Sequence, residues 1–298
     1  SNPSSINGGD TATFSYTFSG MPQYNGEWLA DALLYVFYGA GGLIGLNILK
    51  ASVLIMTFFF LQKAVKNTHG EDDSCFYASV LTLVAVAFSI RFRLYIRPFL
   101  FSYLFLAVFF WLISSYSRTK DVRLLYLLPV IEAVWANMSK AAFYGPLVLL
   151  LFLTGEFFAK RLTVRHALSF IIPFILSMAS PETYGAYSMP FKITALDTDY
   201  FVGEHQPLTV ELLWGHGLKY TLYYQALAVG AAAYFVLFGG WMSIYHIALF
   251  LFFFIPSVRM IRMIDFFSLA AALMFAKPLE ALIRPFVGLF SSKRAVLN

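Results

Sequence analysis

The sequence predicts an all-α membrane protein with about nine transmembrane helices, an interfacial amphipathic helix and one long outer loop. Hydrophobic residues make up 59% of the 298-residue chain, the mean hydropathy is +0.71, and charged residues make up only 12%, about half the share in soluble domains. The hydrophobic residues also occur in long runs separated by short polar junctions. Such a chain needs a bilayer as its solvent, which excludes a disordered chain, a fibrous repeat and a nucleic-acid binder.

Nine apolar runs are candidates for spanning helices, because a helix needs about 20 apolar residues to cross the hydrocarbon core. The runs at 124–137 and 167–179 are short and need local thinning of the bilayer or burial among neighbouring helices. The nine runs divide the chain into transmembrane segments 43–179 and 220–283, an outer loop at 180–219 and a tail at 284–298. Their bounds are 43–64, 76–90, 98–116, 124–137, 141–158, 167–179, 220–238, 242–257 and 263–283.

Residues 1–42 form an outer segment ahead of the first span. Within it, the stretch from Glu27 to Tyr38 has an amphipathic pattern and ends in the glycine-rich stretch 39–42. We expect an interfacial helix there that turns into the membrane at the glycines. The loop 180–219 is the long polar connection of the chain, and we expect it to fold over an outer cavity because loops of this length are more often functional than idle.

The distribution of Lys and Arg predicts the orientation. With nine spans, the side opposite Ser1 holds the junctions 65–75, 117–123 and 159–166 and the C-terminal tail, and it carries more Lys and Arg than the side of Ser1. The positive-inside rule therefore predicts that the N-terminus lies outside and the C-terminus in the cytoplasm.

The remaining unusual polar residues fall in the outer junctions, which indicates one composite site on the outer face. Arg91, Arg93 and Arg97 lie within seven residues, and Arg binds phosphate through two parallel hydrogen bonds. For Arg91 and Arg93, anchoring at lipid headgroups explains the pattern equally well. The other candidates in these junctions are Asp10, Glu27, Asn137, Lys140, Glu182, Glu204, His205 and Arg262.

Several short motifs, taken in order, resemble those of uncharacterised bacterial GT-C-type membrane glycosyltransferases, relatives of protein mannosyltransferases. They are Phe14–Thr17 with Glu27–Ala30, Arg97–Ser102, Trp135–Asn137, Pro181–Gly185, Gly203–Pro207, and Arg262 with Pro278. The family pattern also has a first transmembrane helix that this sequence does not include. The His-Gly-Gly that usually follows Trp-Ala-Asn is represented here by Ser139-Lys140-Ala141.

The resemblance implies transfer of a sugar from a polyprenyl-phosphate lipid on the outer face of a bacterial inner membrane. A base must deprotonate the acceptor, and cations must stabilise the departing phosphate. Asp10 or Glu27 is then the acid/base candidate. The phosphate partners are Arg91, Arg93, Arg97, Lys140 and Arg262, and the substrate cavity holds Asn137, Glu182, Glu204 and His205.

Such a donor requires no metal, and the sequence predicts no definite cofactor. Asp197-Thr198-Asp199 has the form of a metal-binding motif and stands near Glu204, His205 and His216. These groups could hold a divalent cation, but we interpret the motif as a polar turn because its spacing alone is weakly specific.

Two other functions fit the residues. One is a non-catalytic membrane subunit that keeps a GT-C-like scaffold and binds other membrane subunits or lipid. The other is a lipid or polysaccharide transporter, although the chain shows no internal repeat of the kind that transporters have. Lys50 and Glu132 lie within predicted spans and could form an internal ion pair of structural character, because ions in a bilayer tend to pair. For Arg262, an i,i+3 pair with Asp265 is the alternative to a phosphate role, and the two are compatible.

Overall fold

A computed structural model describes residues 25–178, 180–181, 206–215, 218–239 and 243–296. Within these ranges every regular element is a helix, so the predicted all-α class is confirmed for them. The helices are α1 (Trp28–His69), α2 (Asp73–Ile90), α3 (Phe99–Thr119), α4 (Leu127–Met138), α5 (Tyr144–Phe158), α6 (Val164–Leu176), α7 (Val210–Trp214), α8 (Leu218–Leu237), α9 (Ile244–Arg259) and α10 (Ile264–Val296). Short 3-10 turns occupy Arg91–Arg93, Val122–Leu124, Lys140–Phe143 and Ile261–Met263.

Five helical segments of the described ranges are long and apolar enough to cross a membrane. Such segments are those of an integral membrane protein, which confirms that part of the prediction. The remaining apolar helices are shorter, so the count of nine spans stays a prediction. The five segments are Trp28–His69, Asp73–Arg93, Phe99–Thr119, Lys140–Phe158 and Ile261–Val287; the shorter apolar helices are Val164–Leu176, Thr221–Leu237 and Ile244–Arg259.

Two predicted boundaries differ in the structure. Helix α10 continues to Val296, so most of the segment 284–298, predicted as a tail, is helical. Helix α1 joins the predicted interfacial helix to the first span in one element, with non-helical backbone at Gly41 and at Gly42, where φ is 56°. Only glycine adopts such a φ readily, which explains why the helix breaks at this point.

The break in α1 is a sharp bend. A Cβ on Gly45 would lie 2.1 Å from the carbonyl oxygen of Phe37. In a straight helix, residues eight apart are separated by about 12 Å along the axis. The segment before the glycines therefore folds back towards the start of the following helix, as expected for an interfacial helix that turns into a span.

Helices α3 and α10 form the centre of the bundle. Helix α3 packs along α1, and α10 packs against α2, α8 and α9. The first half of α10 is buried on all sides, with Ala270 to Ala272 wholly inside, and small residues let helices approach closely. Helix α1, in contrast, exposes Ile44 and Ile55 by about 70%, as expected of a surface that faces hydrocarbon instead of water.

The helix corners gather at two ends of the bundle. The corners at 91–98, 139–143 and 260–263, together with the start of α1, lie at one end, which we call the arginine end. The corners at 70–72, 120–126 and 159–163 lie at the other, which we call the opposite end. Helix α3 connects the two and has 21 residues, a length of about 31 Å, close to the thickness of a bilayer core.

Candidate functional site

Arg97 and Arg262 meet around one aromatic ring at the arginine end. Their guanidinium carbons lie 5.5 Å and 5.8 Å from the centroid of the Phe99 ring. Arg97 comes from the corner before α3, where Pro98 is the N-cap residue, and Arg262 comes from the 3-10 turn before α10. Two corners that are distant in sequence thus bring two predicted phosphate partners to the same aromatic ring.

Arg93 forms a buried ion pair with Asp265. Its Nε lies 2.7 Å from Asp265 Oδ2, and the two side chains are 11% and 0% exposed. The Tyr103 hydroxyl donates a hydrogen bond to the same oxygen. The i,i+3 spacing offers Arg262 as a possible partner of Asp265. The ion pair that the structure shows on this carboxylate is with Arg93, because the end of α2 faces the start of α10.

Arg91 connects the end of α2 to the start of α8. Its guanidinium donates to the backbone carbonyl of Lys219 over 2.7 Å and also to the carbonyl of Phe88. The same group lies 4.1 Å from the centroid of the Phe92 ring. Arg91 therefore has backbone acceptors in the protein itself, and a role towards phosphate remains a prediction.

The start of α1 is held to the corner between α4 and α5. Trp28 Nε1 donates to Asn137 Oδ1 over 2.7 Å, and the backbone N–H of Lys140 donates to Glu27 Oε1 over 3.1 Å. Glu27 is the N-cap residue of α1, but its side chain does not cap that helix. Three predicted site residues, Glu27, Asn137 and Lys140, are thus brought together at the arginine end.

Tyr144 connects the corner at 139–143 to the corner at 260–263. Its hydroxyl donates to the Met263 sulfur over 3.2 Å, and its ring lies 4.7 Å from that of Phe266. Met263 directly follows Arg262. The candidate residues therefore lie at two adjoining corners of one end, rather than at both ends of the bundle.

The end of the long loop packs against the same region. The backbone N–H of Leu208 donates to the Val258 carbonyl, and that of Ile261 donates to the Gln206 carbonyl, each over 3.0 Å. Leu208 also lines a cavity of about 280 Å³ whose polar wall includes Arg93 and Asp265. The described part of the loop thus lies on the bundle, and the predicted cover over an outer cavity stays a prediction for its remainder.

The remaining predictions concern a metal site, the pair of Lys50 with Glu132, and residues that lie outside the described ranges. Among the described residues no group of three His, Cys, Asp or Glu could hold a metal ion. The predicted pair of Lys50 with Glu132 is wrong, because both Glu132 oxygens are buried without a hydrogen-bond partner in the described structure. Outside the described residues lie Asp10, Glu182, Asp197, Asp199, Glu204, His205 and His216.

The chain matches no protein-family model and no curated protein. The family resemblance therefore stays a prediction, and the arguments about function depend on the residues and their geometry.

Sequence reasoning missed Asp265 as the partner of Arg93 and Tyr103 as a hydrogen-bond donor to Asp265. Asp265 stands in a predicted span, where ions tend to be paired, but its spacing indicates Arg262 as the partner and not Arg93. Tyr103 is one of many aromatic residues in the chain, so no signal in the sequence distinguishes it.

Proposed function

We propose that this protein is an integral membrane glycosyltransferase that takes a sugar from a polyprenyl-phosphate donor at the arginine end. The meeting of Arg97 and Arg262 around Phe99 supports this proposal most. Two guanidinium groups at one place can each donate two hydrogen bonds to phosphate oxygens. A lipid-linked phosphate lies at the membrane boundary, which is also where the helix corners of a spanning bundle lie.

The proposed reaction transfers the sugar between two oxygens. A carboxylate takes the proton from an acceptor hydroxyl, whose oxygen attacks the anomeric carbon of the sugar. The bond from that carbon to the phosphate oxygen breaks, and its electron pair stays on the phosphate. Arg97 and Arg262 stabilise the added negative charge. Glu27 is the acid/base candidate within the described residues, and Asp10 is the candidate outside them.

The proposed orientation has the arginine end outside the cell and the C-terminus in the cytoplasm of a bacterium, with nine spans in the inner membrane and a GT-C-like fold. The opposite end supports this orientation because it is rich in exposed cations, as the positive-inside rule expects of the cytoplasmic face. These residues are Arg118, Lys120, Arg123, Lys160, Arg161 and Arg165. We expect membrane lipids and other membrane subunits as further partners.

A non-catalytic subunit is the second candidate, and one observation favours it. Glu27 and Asn137 both accept hydrogen bonds that hold α1 to the corner between α4 and α5. Two of the residues proposed for chemistry or substrate contact therefore also have a structural task. A scaffold that binds a lipid phosphate without transferring a sugar from it would keep the same contacts.

Binding of polyprenyl phosphate to purified protein in nanodiscs tests the phosphate site. We expect Arg97→Lys to weaken binding about tenfold or more, because a charge-assisted hydrogen bond contributes about 1.5–3 kcal/mol and Lys cannot make the bidentate contact. Arg259→Lys is the matched control, since Arg259 is exposed at the same end. Equal affinities of the two variants, at equal thermal stability, would contradict the proposed site.

Turnover distinguishes the enzyme from the scaffold. With a polyprenyl-phosphate sugar and an acceptor, Glu27→Gln or Asp10→Asn should abolish transfer while leaving donor binding within a few-fold of the unmodified protein. Transfer that survives in both variants would exclude these carboxylates. Donor binding without any transfer in the unmodified protein would favour the scaffold.

A further inference from the structure

A second polar cavity lies at the opposite end of the bundle. It has a volume of about 360 Å³ and lies between the ends of α3 and α5 and the start of α9. Lys120 and Arg161 bring cations to its wall, Glu156 brings one carboxylate, and Ser117 and Ser243 bring hydroxyl groups. The lining thus combines an excess of positive charge with hydrogen-bond donors.

Of the two cations that line the cavity, one is paired with a carboxylate and the other is not. Arg161 pairs with Glu156 over 3.1 Å, and Glu156 is 5% exposed, so this carboxylate is turned into the protein. Lys120 has no carboxylate partner within the described residues; its ammonium group lies 5.4 Å from the centroid of the Tyr116 ring. A compact anion in the cavity would therefore meet an ammonium group that pairs with no carboxylate in the described part of the chain.

The backbone fixes where Lys120 stands. It is the C-cap residue of α3 with φ 58°, and its N–H donates to the Tyr116 carbonyl over 2.8 Å. Tyr116 is fixed in turn, because its hydroxyl lies 2.5 Å from His166 Nε2 and His166 Nδ1 lies 2.8 Å from the Thr163 hydroxyl. Hydrogen bonds therefore hold the wall below the ammonium group in one arrangement, and such preorganisation lowers the entropic cost of binding.

The mouth of the cavity is apolar on one side. Phe158 lines the cavity and is 61% exposed, as is the neighbouring Phe157. Exposed apolar rings of this kind can contact the acyl chains of lipids next to the headgroups. Basic pockets between helices at the cytoplasmic side also bind acidic lipid headgroups.

We propose that this cavity binds a phosphate group, held by Lys120 and Arg161, and that an anionic lipid of the leaflet at this end supplies it. The apolar flank at Phe158 favours a lipid over free phosphate, because an acyl chain can lie along it while the headgroup enters the cavity. This site is separate from the arginine end and does not depend on the proposed glycosyl transfer.

Lipid retention by the full chain tests the site. The protein is extracted from vesicles of phosphatidylglycerol or of phosphatidylcholine, and bound lipid is counted by native mass spectrometry. We expect Lys120→Gln to retain phosphatidylglycerol about tenfold more weakly, as for the loss of one charge-assisted hydrogen bond. Arg123→Gln is the matched control, because its side chain is 89% exposed and it does not line the cavity.

A competition with inorganic phosphate identifies the source of the group. Preference for phosphatidylglycerol that Lys120→Gln reduces and Arg123→Gln preserves supports the lipid. Binding of inorganic phosphate that needs Lys120, with equal retention of both lipids, supports the phosphate site with a soluble ligand. Equal behaviour of the two variants towards all three probes overturns the proposal, and Lys120→Arg, which keeps the charge, should bind like the unmodified protein.

Discussion

Loss of Arg93 should destabilise the protein more than loss of any exposed arginine. Arg93 is 11% exposed, and its partner Asp265 is wholly buried, so water cannot replace the guanidinium group in Arg93→Met. Removal of one member of a buried pair costs about 3–5 kcal/mol. The hydrogen bond from Tyr103 remains on Asp265, and the Met side chain keeps the packing of the stem, so we expect a loss near the lower value, about 3 kcal/mol.

Removal of both charges should recover much of this loss. In Arg93→Met combined with Asp265→Asn, no charge is left buried, and the Asn oxygen can still accept from Tyr103. We expect the double variant to be more stable than Arg93→Met by about 1–2 kcal/mol, because replacement of both members of a buried pair is often neutral. The measurement is equilibrium unfolding in mixed detergent micelles, followed by circular dichroism.

Arg123→Met is the control for the loss of a surface cation. The Arg123 side chain is 89% exposed, and its nearest carboxylate is 4.0 Å away, so the substitution should have little effect. If Arg93→Met unfolds with the same midpoint as Arg123→Met, or if the double variant is no more stable than Arg93→Met, the pair does not hold α2 to α10 as argued.

Two other substitutions test close contacts. A Cβ on Gly145 would lie 2.1 Å from Glu132 Oε2 and 3.0 Å from Phe109 Cζ, so Gly145→Ala should destabilise the protein by about 1–3 kcal/mol. Glu132→Ala should relieve much of that loss, which a double-mutant cycle of unfolding free energies measures. Trp28→Phe removes the hydrogen bond to Asn137, which is worth about 0.5–1.5 kcal/mol. Amide hydrogen exchange should therefore become faster at the start of α1 and stay unchanged at the centre of α3. An equal increase at both places would show that this hydrogen bond does not act locally.

The sequence predicted where the spanning helices lie because polar junctions separate the apolar runs. Each of the nine predicted spans overlaps one of the helices α1–α6 and α8–α10, and the break at residues 39–42 was visible because glycines accumulate there. The end of α10 was missed. Residues 284–296 carry charges that suggested a tail, but charged residues at a helix end are compatible with a continued helix once it leaves the apolar layer.

The sequence predicted at which end of the bundle the described candidate residues lie, but it did not predict their contacts. Alternation of junctions between two sides is enough to bring Arg97, Arg262 and Lys140 to one end. The choice of ion-pair partners depends on how each helix is rotated about its axis, and apolar helices with weak amphipathicity do not specify that rotation. Spacing therefore could not predict the pairing of Asp265 with Arg93, nor that the Glu132 oxygens have no hydrogen-bond partner among the described residues.

The arginines at the two ends of the bundle lie in different environments, and the protein itself explains the burial of Arg93. At the opposite end Arg118 and Arg123 are exposed, so water solvates them at little energetic cost. At the arginine end Arg93, Arg97 and Arg262 are half-buried among rings and a carboxylate. Burial of a cation costs free energy unless an anion compensates it, and Asp265 compensates Arg93. The proposed phosphate role of Arg97 and Arg262 depends instead on their approach to the Phe99 ring, and the Arg97→Lys binding measurement tests it.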